Sequence, residues 1–472
     1  MTATPAAMAR WRRRVASWRA AAAARERSRA ASRCRRLGER AMAAEASPGF
    51  GEGCPRPVAF SAVALLVQKF GGTSVADPER IRAVADHVAR TVRRGDQVVV
   101  VISAMGKETD ELLRLAREVS ETRPGREMDM LVTAGERKAT ALLCMAIADR
   151  GIEAESFTGS QAGFVTDSTH MNAKITDVRP DRIRAALDAG RVAVVGGAQG
   201  VSPERNVTFL GRGGSDTTAV AIAHALGAES CELYTDVPGV FTSDPRVVPD
   251  ARKMERVSFD ELLEMTANGC PKPAMRSVEF ARTHGVDLHV RSAFTWEVGT
   301  RVTKEDEDME QAIISAVVHD ADEAKVTISG VADRPGIAAK YSRALADADI
   351  NVDLIVQNTS AAGVTDISFT VPHGDLDRAV EICEVQAAEL GASKVTGDPA
   401  IARVSVVGAG MKSHPGVAAT VFETLAANDI NIEMIATSAI RVSCVVAESE
   451  VEKAVVALHD AFGLADGPVY VD

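Results

Sequence analysis

Two glycine-rich turns carry the residue types that phosphate chemistry needs. The first, Gln68-Lys-Phe-Gly-Gly-Thr-Ser-Val75, follows an apolar run and precedes a helix signal. The second, Leu210-Gly-Arg-Gly-Gly-Ser-Asp-Thr217, also opens a helix. A cation, paired glycines and hydroxyls at a strand-to-helix turn form a cradle for an anion. The glycines let backbone N–H groups approach closely, and the helix N-terminus adds its dipole. One such turn alone reads equally well as a plain tight turn; the second makes phosphoryl chemistry the better reading.

The elements that must position these turns follow from the pattern around them. Strands are expected at Leu65–Phe70, Gln97–Ile102, Val192–Gly196, Cys231–Asp236 and Asp287–Arg291. A helix should start at Asp77 as N-cap with Pro78 in its first position, burying Ile81, Val84, Ala85 and Val88. Another should follow the second turn, with Ala219, Ile222, Ala223 and Leu226 inward and Gly227 as terminator. This alternation predicts a mainly parallel sheet covered by helices on both faces. Ligands of such sheets collect at the carboxyl ends of strands, where both glycine turns fall.

Composition sets the outer bounds. The chain has 472 residues, 46% hydrophobic and 25% charged, enough for several domains of ordinary globular character. No apolar run reaches the roughly 18 residues that span a bilayer, which speaks against a membrane protein. Seven scattered cysteines without a Cys-x-x-Cys pair argue for a reducing, cytoplasmic setting and against a disulfide framework or structural zinc. The net charge of −11 is asymmetric: residues 1–63 hold 13 Arg and 4 Glu, a balance of +9, leaving −20 for residues 64–472. An acidic body does not favour nucleic acid. The Ala/Arg-rich segment 1–63 reads as a basic helix, a targeting peptide or an over-extended gene start, the last preferred because GC-rich DNA read in frame yields Ala, Arg and Gly, with Val63 as the alternative start.

The charged stretch Lys304-Glu-Asp-Glu-Asp-Met-Glu310 breaks the pattern and marks a linker, placed at 301–323 after a unit at 64–300. Beyond it the chain repeats itself. Gly330 matches Gly408, Pro335-Gly336 matches Pro415-Gly416, and Asp349-Ile-Asn351 matches Asp429-Ile-Asn431. Each copy reads strand, loop, helix, strand, which predicts two small α/β modules at 324–400 and 401–472.

Together these motifs resemble one family. Gln-Lys-Phe-Gly-Gly-Thr-Ser (68–74), Val-Ile-Ser-Ala-Met-Gly (101–106), Thr-Ala-Gly-Glu-Arg (133–137), Phe-Thr-Gly-Ser-Gln-Ala-Gly (157–163), Gly-Arg-Gly-Gly-Ser-Asp (211–216) and Tyr-Thr-Asp-Val (234–237) are similar to aspartokinase motifs. The likeness runs from about residue 64 to the C-terminus, with the repeat resembling a pair of ACT modules. It implies a three-layer αβα amino-acid-kinase sandwich with two ferredoxin-like ACT modules. It also implies transfer of phosphate from ATP, with Mg²⁺, to the side-chain carboxylate of L-aspartate, the first step toward lysine, threonine, methionine and isoleucine.

On that resemblance Lys69 and Asp216 are the catalytic pair: Lys69 meets the transferring phosphoryl and Asp216 orients it. Glu136 suits the substrate ammonium and Arg212 the α-carboxylate, which a guanidinium binds through two hydrogen bonds. Ser103, Thr109, Gly214 and Ser215 complete the substrate side. The nucleotide side draws on Lys69, Phe70, Gly71, Gly72, Thr235, Asp236, Phe241, Asp244, Arg246 and Lys272. Three departures stand out: Pro238 follows Thr-Asp-Val, Ala198 stands where phenylalanine is common, and Gly269-Cys-Pro-Lys272 displaces the nucleotide-side lysine by one position. No metal cage is expected, because Mg²⁺ arrives on phosphates and water.

Feedback is expected at the modules. Asp333, Pro335 and Gly336, and His414, Pro415 and Gly416, open helices whose free N–H groups suit an α-carboxylate. Asn351, Asp353, Gln357, Asn358, Thr365 and Asp366 offer further polar contacts. Lysine and threonine are the implied effectors, and a homo-oligomer, or a partnership with a short ACT-only subunit begun at Met309, is the implied assembly. The competing readings are a kinase of glutamate, acetylglutamate or UMP, a feedback-insensitive aspartokinase of a secondary pathway, and a non-catalytic amino-acid sensor.

Overall fold

Asp77 caps the helix Pro78–Arg93, its carboxylate accepting the Arg80 N–H at 2.9 Å, with Pro78 in the first position. Ile81, Val84, Ala85 and Val88 are buried along it, as their spacing predicts. Gly227 ends the helix Gly214–Leu226 in the left-handed region. The computed structural model describes residues 63–304, 313–357 and 363–467. The expectations for segment 1–62, for a start at Met309 and for Asn358 lie outside the described residues.

These helices cover an eight-stranded sheet. Its order is Arg256–Ser258, Thr300–Thr303, Leu288–Ser292, Ser230–Thr235, Leu65–Phe70, Gln97–Ile102, Val192–Gly196, Ala154–Phe157. From Leu288–Ser292 onward every pairing is parallel. Thr300–Thr303 runs antiparallel to its neighbour and carries Arg256–Ser258 parallel to itself. Val99 and Val101 pack in one core with Ala219 and Ile222, whereas Val98 and Val100 pack in another with Ile81, Val84 and Leu143. Alternation along one strand thus feeds two helical layers, the αβα sandwich expected. The five expected strands match to within one residue at each end. The outer strands are short, and their patterns were too brief to read. A second small sheet, Ile175–Val178, Phe164–Thr166, Gln199–Val201 and Val207–Phe209, leads into the second glycine turn.

The C-terminal part holds two four-stranded antiparallel sheets. One joins Ile355–Gln357, Val364–Pro372, Glu323–Ala332 and Lys394–Asp398; the other joins Ala316–Asp320, Ile401–Val407, Arg441–Ala447 and Met434–Thr437. Each has two helices, Ile337–Asp347 with Leu376–Leu390 and Val417–Ala427 with Val451–Ala461. Asp349 and Asp429 take the same left-handed conformation, φ +56° and +57°, at matching helix ends.

The stretch read as a linker needs correction. Residues Thr300–Thr303 close the large sheet, and Ala316–Asp320 is the edge strand of the second module. The acidic run dominated the reading, and Ala316-Val-Val318 is too short an apolar run to announce a strand. The first module is therefore nested inside the second.

The modules are tied by reciprocal ion pairs at equivalent repeat positions: Lys325 with Glu433, and Arg403 with Asp353. Arg403 is 1% exposed, also meets Glu323 at 2.6 Å, and donates to the Ala267 carbonyl at 3.2 Å. Burial pushes the Glu323 carboxyl up to about 7 against the pull of Arg403. Arg403→Ala should therefore cost about 3–5 kcal/mol, because it strands the buried Glu323. Chemical denaturation of the variant checks this, and an unchanged midpoint refutes it.

Candidate active site

The end of the strand Leu65–Phe70 and the start of the helix Gly214–Leu226 bring Lys69 and Asp216 together. Lys69 Nζ lies 2.6 Å from Asp216 Oδ1, with side chains only 7% and 5% exposed. Asp216 Oδ2 accepts the Ala274 N–H at 3.2 Å. Burial pushes the Asp216 carboxyl up, but the charge and hydrogen bond of Lys69, the Ala274 N–H and the charge of Lys272 outweigh it. The net effect holds the group below its ordinary value, ionised. Both glycine turns are as tight as the chemistry asks. A Cβ on Gly72 would sit 2.8 Å from the Ala104 carbonyl oxygen, and Gly213, at φ +75°, would bring one within 2.5 Å of the Ala274 Cβ.

Beside this pair a cavity of about 370 Å³ is lined by every expected substrate-side residue: Ser103, Thr109, Glu136, Arg212, Gly214 and Ser215. Ser103 Oγ donates to Ser215 Oγ at 2.9 Å. Glu136, in the first turn of the helix Ala134–Ala148, is 3% exposed, and its Oε2 has no hydrogen-bond partner among the described residues. Burial pushes its carboxyl up to about 7, although its own N–H and that of Ala104 pull the other way; Glu108 adds to the rise. A buried carboxylate with an orphaned oxygen fits a cationic ligand group. Arg212 is the opposite case: its side chain is 91% exposed at the mouth, with Nη2 3.8 Å from Asp110 Oδ1.

Met171 was not foreseen. It lines the same cavity in a left-handed conformation, φ +64°, its N–H donating to Asp129 Oδ1 at 2.8 Å. The His170 Nδ1 lies 2.6 Å from the other oxygen of this fully buried carboxylate. The partners are about 40 residues apart with no periodicity between them, so no local signal announces the contact.

A second cavity, of about 570 Å³, is lined by Asp236, Phe241, Asp244, Arg246 and Lys272. Arg246 grips Asp244 through Nε at 3.0 Å and Nη2 at 2.5 Å, and this hydrogen bond holds the Asp244 carboxyl below its ordinary value. Thr235 is buried at its strand end and donates to Asp236 Oδ1 at 3.0 Å. Despite its displaced position, Lys272 lines the cavity and its charge is felt at Asp216. The Phe70 ring is fully buried, stacked on Tyr234 at 4.7 Å in the helix-covered core, which leaves only its backbone for the expected nucleotide contact. Gly71 stays close to the cation, since a Cβ there would lie 3.4 Å from Lys69 Nζ.

The expected regulatory residues, among those described, are spread over both modules. Gly336 and Gly416 do begin the helices Ile337–Asp347 and Val417–Ala427, with Pro335 and Pro415 just before. Asp333 donates its N–H to Gly363 O at 3.0 Å, and Asn351 and Gln357 are exposed. Asp353 is exposed and pairs with Arg403. Asp366 accepts the Gly330 N–H at 2.8 Å, ordinary turn chemistry. Thr365 is buried and donates to the Asp366 carbonyl at 3.3 Å, while His414 Nδ1 lies 2.7 Å from Gly410 O.

Comparison with known proteins places this geometry. Residues 64–292 match the amino acid kinase family, and residues 326–386 and 404–462 match the ACT domain. The chain is 55% identical over 407 residues to the aspartokinase of Mycolicibacterium smegmatis, covering 85% of this chain and 97% of that one. The crystal structure of E. coli aspartokinase III in complex with aspartate and ADP, an R-state, aligns at 25% identity and TM-score 0.72 over 84% of this chain and 99% of that one. The same E. coli enzyme with lysine and aspartate, a T-state, aligns at 26% identity and TM-score 0.66 over the same shares.

Proposed function

The chain belongs to the aspartokinase family and phosphorylates aspartate, and we propose that its two cavities divide the substrates between them. L-Aspartate occupies the smaller one: Glu136 takes the α-ammonium, Arg212 the α-carboxylate, and Ser103, Thr109, Ser215 and the Gly214 N–H the remaining polar atoms. ATP occupies the larger one, with Lys272 and Arg246 toward its phosphates. Lys69 neutralises the transferring phosphoryl and Asp216 holds Lys69 in place. A β-carboxylate oxygen bonds to the γ-phosphorus as the bond to the bridging oxygen breaks, giving 4-phospho-L-aspartate and ADP. The nucleophile is already ionised, so no general base is required.

Asp236 and the ionised Asp244, carboxylates of the larger cavity, fit a hard cation carried in on phosphate oxygens. Mg²⁺ there supplies charge neutralisation. The carrying observation is Glu136: a buried carboxylate with an oxygen unpartnered among the described residues, in a cavity whose lining reaches Gly72, Gly214 and Ser215 of the turns that carry Lys69 and Asp216, is a socket for an amino-acid ammonium. The product opens the route to lysine, threonine, methionine and isoleucine. The ACT pair provides feedback by lysine and threonine, through an arrangement that effectors bind more tightly than the active one. The working form is an oligomer.

Hydroxylamine trapping of acyl phosphate tests this, with Mg-ATP and either aspartate, glutamate or acetylglutamate, and with aspartate plus lysine and threonine. Signal with aspartate alone, suppressed by the two amino acids, is expected. Unsuppressed signal would mark a feedback-insensitive enzyme, and none would leave an amino-acid sensor.

A further inference from the structure

The larger cavity has a wall that does not come from the kinase part. Val318 and His319 line it, and both belong to the strand Ala316–Asp320, the edge of the second ACT sheet. The strand is fixed to the loops it faces. Val317 donates its N–H to Thr242 O at 2.8 Å, within the segment that carries Phe241, Asp244 and Arg246. Thr242 Oγ1 also lies 2.9 Å from Nε2 of the buried His459, on the last helix of the same module. On the other side, the His319 carbonyl abuts Gly269 so closely that a Cβ there would overlap it. Gly269, at φ +111°, begins the turn that carries Lys272.

Val318 is 6% exposed and acts as apolar backing, whereas His319 is half-buried and so free to meet solvent or ligand. Its imidazole is also close enough to Asp244 to add to the pull of Arg246 on that carboxylate.

We propose that His319, a residue of the regulatory sheet, is part of the nucleotide site and contacts bound ATP. The inference rests on the assignment of the larger cavity to ATP. An imidazole presents an N–H donor and a flat face, suited respectively to a phosphate oxygen and to the nucleotide base. The ACT sheet is then a component of the ATP site as well as a neighbour of it. Any shift of that sheet reaches nucleotide affinity directly, with the aspartate cavity left as it is.

The test uses the full chain and its His319→Ala and His319→Gln variants. Binding of Mg-ADP is measured by calorimetry, and the kinetics of acyl phosphate formation are measured with ATP and aspartate varied separately. Alanine should weaken Mg-ADP binding and raise KM for ATP by about tenfold, the range of one lost polar contact. KM for aspartate and kcat should stay within about twofold, and glutamine should recover part of the loss. Nucleotide binding within twofold of the unmodified chain would overturn the inference, as would an equal loss of aspartate and nucleotide affinity, which marks a structural role. If the unmodified chain forms no acyl phosphate, the function fails while the Mg-ADP titration still decides the role of His319. If it binds no Mg-ADP, the assignment of the cavity and the inference fall together.

Discussion

Replacing Glu136 with alanine is expected to lower kcat/KM for aspartate by at least about 100-fold. The carboxylate is buried and one of its oxygens is unpartnered, so the α-ammonium of aspartate gives it the ion pair it lacks. Without it, the ammonium enters a desolvated cavity with no counter-charge, which costs several kcal/mol. A loss under threefold would remove Glu136 from the site. The pH dependence follows with a definite sign. Burial lifts the group from 4.5 to about 7 in the folded, ligand-free chain. Below its unfolded value both states are protonated and nothing is lost. As pH rises toward 7 the unfolded chain ionises first, so stability falls, and above 7 the full cost is present, roughly 3 kcal/mol. Glu136→Gln should therefore stabilise the ligand-free protein at pH 8 and much less at pH 5, while remaining nearly inactive. KM for aspartate in the unmodified enzyme should fall between pH 6 and 8, as the ionised form that binds the ammonium fills. Thermal denaturation at pH 5 and 8 and steady-state kinetics between pH 6 and 8 check the two statements.

Lys69→Ala should lower kcat by about 10³-fold or more, because the cation that neutralises the transferring phosphoryl is gone. It should also destabilise the fold by about 3–5 kcal/mol, since Asp216 would be left buried and unpaired. The double variant Lys69→Met with Asp216→Asn separates the two effects. It should recover much of the stability, with the stranded charge removed, and none of the activity. Urea denaturation read beside kcat decides it; recovery of activity in the double variant would refute the catalytic assignment.

How legible these sites were depended on distance along the chain. Lys69, Ser103, Glu136, Arg212 and Asp216 each sit in a short motif at the end of a regular element, so local pattern and resemblance single them out. Phe70 lies inside such a motif, but the burial of its ring in the stack with Tyr234 follows from strand alternation rather than from the motif. The pairing of Asp353 with Arg403 was not legible because a carboxylate in a loop gives no hint of an arginine 50 residues on. Met171, Val318 and His319 were invisible for the same reason: their roles come from segments that meet only in three dimensions. The duplication was plain, since matching Gly, Pro and Asp-x-Asn positions mark equivalent turns. Its nesting was not, since a strand of five residues after an acidic run carries too little pattern to be assigned to a partner more than 80 residues away.

That nesting sets an order of events on the ribosome. Ala316–Asp320 emerges before the first module, but its partner Ile401–Val407 follows only after that module is complete. At roughly 5–20 residues per second, the strand waits several seconds with Val317, which packs with Val404 and Val406, uncovered. During that interval the first module can close upon itself, since all of its strands lie between the two halves of the second. Translation thus finishes the inner module first and the outer one last. The strand that walls the larger cavity belongs to the outer one, so the nascent kinase reaches its final shape only when synthesis is nearly over.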